Sequence, residues 1–225
     1  MSRVQANGDV IAALWDMDGV LVESAPFHFV AWQRVWAEMG LSISEADFRK
    51  NFGQRNDTII RDMLGDGATA EVISRIGPMK EVYYRDAVKG HVEALPGAMD
   101  LLHSLRADGF RLAIASAAPR ANVDLILSEL GASELFDAVV SYEDVTRGKP
   151  DPQVYLLAAQ RVNAPANVCV VLEDAVAGVE GAKAAAMACI GVTSNHSRHA
   201  LSKADLIVDS LTEVTPQIIR RMLAH

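Results

Sequence analysis

Asp16 and Asp18 stand in the stretch LWDMDGVLVES, directly after an apolar run. Two like charges about 6 Å apart repel by roughly 3 kcal/mol at an effective dielectric of 20. A cation or a shared proton would offset that repulsion, and either makes the pair a chemical site. The competing reading is a plain turn, because Asp-Gly between two apolar runs is a strong hairpin signal. On these residues alone the two readings stand level. A calcium loop does not fit: it needs Gly at its sixth position and an acid at its twelfth, which are Leu21 and Phe27 here.

Other chemistry-bearing residues follow apolar runs further along. Ser116 comes after RLAIA, Lys149 after DAVVS, and Glu173-Asp174 after NVCVVL. Each has an ordinary explanation: a turn cap for Ser116, a solvated loop charge for Lys149 in RGKPDP, and the N-cap of the helix AVAGVEGAKAAAM for Asp174. Taken together they place acids, a hydroxyl and a cation at the carboxyl ends of strands, where open α/β sheets bind their ligands. That inventory suits phosphoryl transfer from a monoester. A carboxylate nucleophile must approach an anion, so the site needs a divalent cation, a lysine and a hydroxyl donor. Asp16 and Asp174 offer hard oxygen ligands with no Cys/His cluster beside them, which points to magnesium and not zinc.

The elements that must hold these residues are legible as short apolar runs. Residues 9–15, 111–116, 137–141, 167–172 and 188–192 read as buried strands, with DLIV near Asp205 as a weaker sixth. Helical patterns separate most of them. In PRANVDLILSELG, Pro119 suits a first turn, Val123, Ile126, Leu127 and Leu130 share a face, and Gly131 is the stop. In DPQVYLLAAQRV, Asp151 reads as the N-cap and Pro152 as the first helical residue. The alternation predicts an α/β fold with a parallel sheet covered on both faces. Between residues 24 and 94 the texture is helical throughout: FHFVAWQRVWAEMG, RNDTIIRDML and GPMKEVYYRDAV are the helices, and LPG at residues 95–97 marks the return. The expected organisation is an α/β core from residues 1–23 and 95–225, with a helical insertion at residues 24–94.

Composition narrows the partners. The chain has 225 residues, half of them hydrophobic, and a formal net charge of -8. That charge argues against nucleic acid and anionic membranes, which attract basic patches. No apolar run has bilayer-spanning length and the N-terminus lacks a signal-peptide pattern, so a cytoplasmic protein is expected. Cys169 and Cys189 lie in apolar runs and read as buried thiols. HSRH, from His196 to His199, reads as a solvated loop with no third metal ligand nearby.

DMDGVLVES, ASAAP, GKPDP and LEDAVAG, in this order, resemble the four motifs of the haloacid dehalogenase (HAD) superfamily, across essentially the whole chain. The helical insertion resembles the cap shared by β-phosphoglucomutases and sugar-phosphate phosphatases. The resemblance implies a Rossmann-like core with an α-helical cap and a magnesium ion. It implies that Asp16 is the nucleophile of an aspartyl-phosphate, that Asp18 acts as acid and then base, and that Ser116 and Lys149 bind the phosphoryl group. Asp16, Asp18, Glu173 and Asp174 would surround the metal. In the cap it implies that His28, Arg55, Thr58 and Lys80 contact substrate or align the acid-base residue. Asp18 disfavours the dehalogenases and phosphonoacetaldehyde hydrolases, which lack an aspartate there. The chain departs from the mutases where SAAPRAN puts Pro119 and Arg120 in place of Lys and Asn, and where Asn51 replaces a cap lysine. The expected activity is therefore a magnesium-dependent phosphatase, monomeric, whose partner is a small phosphate ester such as a sugar phosphate. A mutase using the same intermediate is the alternative, and a catalytically idle phosphometabolite-binding module is the alternative from another class.

Overall fold

The computed structural model describes residues 10–224. Strands β1 (Ala12–Trp15), β2 (Arg111–Ala115), β3 (Ala138–Val140), β4 (Cys169–Glu173), β5 (Ala188–Val192) and β6 (Leu206–Val208) form one sheet in the order β3-β2-β1-β4-β5-β6. Every pairing is parallel. The chain winds outward from β1 to β3, then crosses back to β4 on the other side of β1. The strand order therefore reverses beside β1 and β4, the place where such sheets open a crevice at their carboxyl ends.

Four helices, α1 (Ala25–Glu38), α2 (Glu45–Asn51), α3 (Asn56–Leu64) and α4 (Ala70–Val88), follow β1, and α5 (Ala98–Ala107) leads into β2. Then α6 (Arg120–Glu129), α7 (Gln153–Arg161) and α8 (Val176–Ala184) separate successive strands, and α9 (Pro216–Leu223) follows β6. Strand residues alternate between two cores, as a period of two requires. Ala13 and Trp15 pack with α5, α6 and α9, while Ala12 and Leu14 pack with α7 and α8. A third cluster, with Trp32, Trp36, Phe48 and Ile60, joins α1 to α4. Among the described residues no helix is long and apolar enough to cross a membrane.

Several expected boundaries move. β1 starts at Ala12, and Asp9 lies outside the described residues. Pro119 stands at the N-cap of α6, one position before the first turn. Pro152 likewise occupies the N-cap of α7, yet Asp151 still caps it, accepting from Gln153 N at 3.0 Å. The largest shift is α4, which begins at Ala70 and runs straight through Pro78. The Thr69 hydroxyl accepts from Val72 N at 3.3 Å and starts the helix there. Pro78 then costs one interior hydrogen bond, which the long packed face outweighs.

Candidate active site

Asp16 is the residue after β1, and its N–H donates to Leu172 O of β4 at 3.0 Å, which extends the ladder and sets it beside Glu173. Ser116 follows β2 in the same way, donating to Val140 O of β3 at 3.0 Å. Lys149 arrives on the loop before α7. Its ammonium lies 2.8 Å from Asp16 Oδ1 and 2.5 Å from Glu173 Oε1. One carboxylate oxygen from each of Asp16, Glu173 and Asp174 falls within 4.8 Å of the others, all buried. Two glycines make this approach feasible. A Cβ at Gly178 would fall 1.8 Å from Glu173 Oε1, and one at Gly19, whose φ is +80°, would fall 2.2 Å from Asp174 Oδ2.

The three acids are not equivalent. Glu173 Oε1 accepts from Lys149 and from the Tyr155 hydroxyl at 2.8 Å, while Oε2 accepts from the N–H groups of Asp174 and Ala175 at 2.8 Å each. Its acceptor capacity is spent on holding Lys149 and the turn after β4. Asp16 and Asp174 each keep one oxygen that no hydrogen bond reaches among the described residues, since Lys149 takes Asp16 Oδ1 and Asn195 Nδ2 takes Asp174 Oδ2 at 2.8 Å. Three carboxylates against one ammonium leave a buried charge of -2. Burial, then the neighbouring acids, push Asp174 well above the usual carboxylate range; Asp16 rises to about 7 through burial, opposed by Lys149 and assisted by Glu173 and Asp18. The donor set fits a hard divalent cation, which would offset the excess charge that raises these groups.

Asp18 points elsewhere. The Ser24 hydroxyl donates to its Oδ1 at 2.5 Å and His28 Nε2 lies 3.2 Å from the same oxygen. This carboxylate, expected among the metal ligands, is therefore not one of the three that converge. On its far side the His28 ring meets Lys80 Nζ, 2.7 Å from Nδ1. An ammonium only donates, so Nδ1 accepts and Nε2 carries the proton that bonds Asp18. Burial and the Lys80 charge hold the imidazole below its usual range, which keeps it neutral. Burial raises the Asp18 carboxyl, but His28 and Ser24 more than offset it, and the net shift is downward.

Asp16, Asp18, His28, Lys80 and Ser116 line one cavity together with Trp32. Ser116 Oγ accepts from Ala118 N at 3.0 Å, which leaves its own O–H to donate. The cavity holds about 40 Å³, room for a few waters and not for a sugar phosphate.

Two expected substrate contacts lie outside this lining. Arg55 caps no pocket wall of the cavity: its guanidinium stacks 4.0 Å over the Tyr142 ring, with Nε 3.3 Å from Asp57 Oδ1 and Nη1 3.4 Å from Val145 O. Gly148 leaves the space for its stem. Thr58 is half-buried on α3 and does not line the cavity either. Conversely, HSRH is not purely solvated, because His196 Nδ1 lies 3.0 Å from Asp174 O while Ser194 Oγ bonds Gly19 O. Sequence reasoning passed over Asn195, Tyr155 and Ser24. Ser24 sits inside the first motif and was open to discovery; Asn195 and Tyr155 reach the site only through the fold.

With this geometry in view, residues 11–186 match the family described as haloacid dehalogenase-like hydrolase. The chain is 32% identical over 202 residues to validoxylamine A 7'-phosphate phosphatase of Streptomyces hygroscopicus subsp. limoneus, covering 90% of this chain and 94% of that protein. It is 32% identical over 216 residues to hexitol phosphatase B of Escherichia coli (strain K12), covering 92% and 95% respectively. The crystal structure of β-phosphoglucomutase from Clostridium difficile is similar with a TM-score of 0.85 at 25% identity, covering 96% of this chain and 97% of that one. The chain belongs to the haloacid dehalogenase-like hydrolases.

Proposed function

We propose that this protein is a magnesium-dependent phosphatase that hydrolyses a small phosphorylated metabolite, of the sugar-phosphate class, through a phosphorylated Asp16. The observation that carries the reading is one cavity lined by Asp16, with a free oxygen, by Ser116, and by Asp18 in its own hydrogen-bond network. Asp16 attacks phosphorus and the bond to the alcohol oxygen breaks; Asp18, ionised before substrate binds by its downward shift, gains a proton from solvent as the anionic phosphate enters and gives it to that oxygen. Water then attacks phosphorus, Asp18 takes the water's proton, and the bond to Asp16 breaks to release inorganic phosphate. Ser116 and Lys149 donate to the phosphoryl oxygens. Magnesium held by Asp16 and Asp174 would neutralise charge on the phosphoryl group and on the acids. In this reading residues 24–94 are a cap that opens for substrate and closes to exclude water, over a core of residues 1–23 and 95–225.

The test is phosphorus NMR of the protein with magnesium, β-glucose 1-phosphate and a trace of glucose 1,6-bisphosphate. Growth of inorganic phosphate, lost with EDTA and restored by magnesium, supports the reading. Glucose 6-phosphate without free phosphate would instead establish a mutase.

Metal binding should also carry a pH signature. A cation on Asp16 displaces the proton that this carboxyl holds below about pH 7. The rise in melting temperature on adding magnesium is expected to be larger at pH 8 than at pH 6. A pH-independent rise would place the cation elsewhere.

A further inference from the structure

Helix α4 presents Glu81 and Arg85, one turn apart, to the core helix α6, and one carboxamide lies between them. Asn122 Nδ2 donates to Glu81 Oε2 at 2.5 Å, and Asn122 Oδ1 accepts from Arg85 Nη1 at 2.9 Å. Asn122 is wholly buried. A carboxamide offers a donor and an acceptor at once, so the pair on α4 reads both of its ends. The other Glu81 oxygen accepts from Lys80 Nζ at 2.9 Å and Asn56 Nδ2 at 2.6 Å. Through Lys80 the chain of contacts continues to His28 and Asp18.

Among the partners of Glu81 and Arg85 in this network only Asn122 belongs to the core; Asn56 and Lys80 lie on α3 and α4 with them. If α4 lifts from α6, Glu81 keeps its partners on the same layer and loses the core. Among the described residues Glu81 is also the one ionisable residue that lines both the catalytic cavity and a second cleft of about 700 Å³ between α3, α4 and the start of α6. It therefore stands in the wall between a space too small for a sugar phosphate and one large enough for it.

We infer that the Glu81–Asn122 hydrogen bond is the latch that couples closure of the helical layer to the alignment of Asp18. With the latch made, the Glu81 carboxylate is fixed from both sides and holds Lys80 against His28 Nδ1, which keeps the Nε2 proton on Asp18. With the latch broken, Glu81 and Lys80 are free to reorient and the wall to the larger cleft opens. Glu81 and Asn122 are positioning residues in the reaction proposed above, and the inference about Asp18 rests on that reading.

Asn122→Asp keeps the shape and the acceptor for Arg85 but sets a second carboxylate against Glu81. Its kcat for phosphate release is expected to fall about tenfold or more. Backbone amides of α1 and α4 should exchange with deuterium faster than in the wild type, while those of β1 and β4 do not change. Adding Glu81→Gln reverses donor and acceptor across the same contact, since the glutamine oxygen still accepts from Lys80 and its amide donates to the new acid. The double variant should recover kcat to within about threefold of wild type and restore slow exchange, as a coupled pair requires. Unchanged kcat in the folded single variant, or a double variant no better than the single, would overturn the coupling to Asp18. Hydrogen exchange judges the latch without turnover. If the wild type releases no phosphate from any ester yet exchange in α1 and α4 follows the expected pattern, the latch stands and the phosphatase reading alone falls; unchanged exchange in Asn122→Asp overturns the latch itself.

Discussion

Asp16→Asn is expected to lower kcat on the order of 10⁴-fold or more while raising the melting temperature of the metal-free protein at pH 8. Loss of activity follows because a carboxamide is not the nucleophile that forms the acyl phosphate a carboxylate does. The gain in stability follows from the charge. Asparagine is close to aspartate in shape, and its oxygen still accepts from Lys149 at the position where Asp16 Oδ1 does so at 2.8 Å. It removes one negative charge from a buried cluster that carries an excess of two. The Asp16 carboxyl is raised from 3.8 to about 7, so the folded protein binds this proton more tightly than the unfolded chain. Stability from that proton is fully present below 3.8 and is lost as pH rises through about 7. The amide carries no such loss. The difference in melting temperature between variant and wild type should therefore grow from pH 4 to pH 7 and level off above it. Melts in EDTA across that range, with phosphate release measured in magnesium, check both halves; retained turnover in the variant sinks the role given to Asp16.

The residues that were legible in advance are those whose chemistry and position along the chain coincide. Asp16, Ser116 and Asp174 each follow a short apolar run, and each run became a strand of one parallel sheet, so their convergence followed from topology. Glu173 lies beside Asp16 and Asp174, but its part could not be read from its type. Whether a carboxylate is free to ligate depends on how many donors the fold aims at it, and Tyr155, Lys149 and two backbone N–H groups are all aimed at Glu173. The same limit applies to Arg55, where a guanidinium suited to a phosphate instead stacks on Tyr142 across a separation of 87 positions. It applies to Lys80 as well, which looks like an exposed helix charge until the fold buries it against His28 and Glu81. The helix expected as GPMKEVYYRDAV starts earlier, at Ala70, and keeps Pro78 in its interior, because 19 residues of packed helix outweigh one missing hydrogen bond.

Lys149→Met should produce the opposite effect on stability from Asp16→Asn. Burial alone would push the Lys149 ammonium down, yet Asp16 and Glu173 hold it well above the usual lysine range, so it is charged at every pH of interest. Methionine matches the length of the stem and keeps its packing beside the Tyr155 ring, which the ammonium faces at 5.3 Å. What it removes is the one positive charge bonded to both acids. Removing one partner of a buried pair costs about 3–5 kcal/mol, because the other partner is left buried and uncompensated. Here protons can substitute in part. Asp16 and Asp174 are already raised, and without Lys149 their affinity for protons rises further, so the folded variant retains stability at low pH and loses it as pH rises. Denaturant unfolding in EDTA is thus expected to show most of the loss at pH 8 and a smaller one at pH 5. Phosphate release should fall by about 10²–10³-fold, the scale of losing one donor to a developing oxyanion. An equal loss of stability at both pH values would mean that Lys149 acts through packing alone. A pH-dependent loss, set beside a gain for Asp16→Asn, would show that one buried charge balance governs both the stability of the sheet's carboxyl edge and the chemistry proposed there.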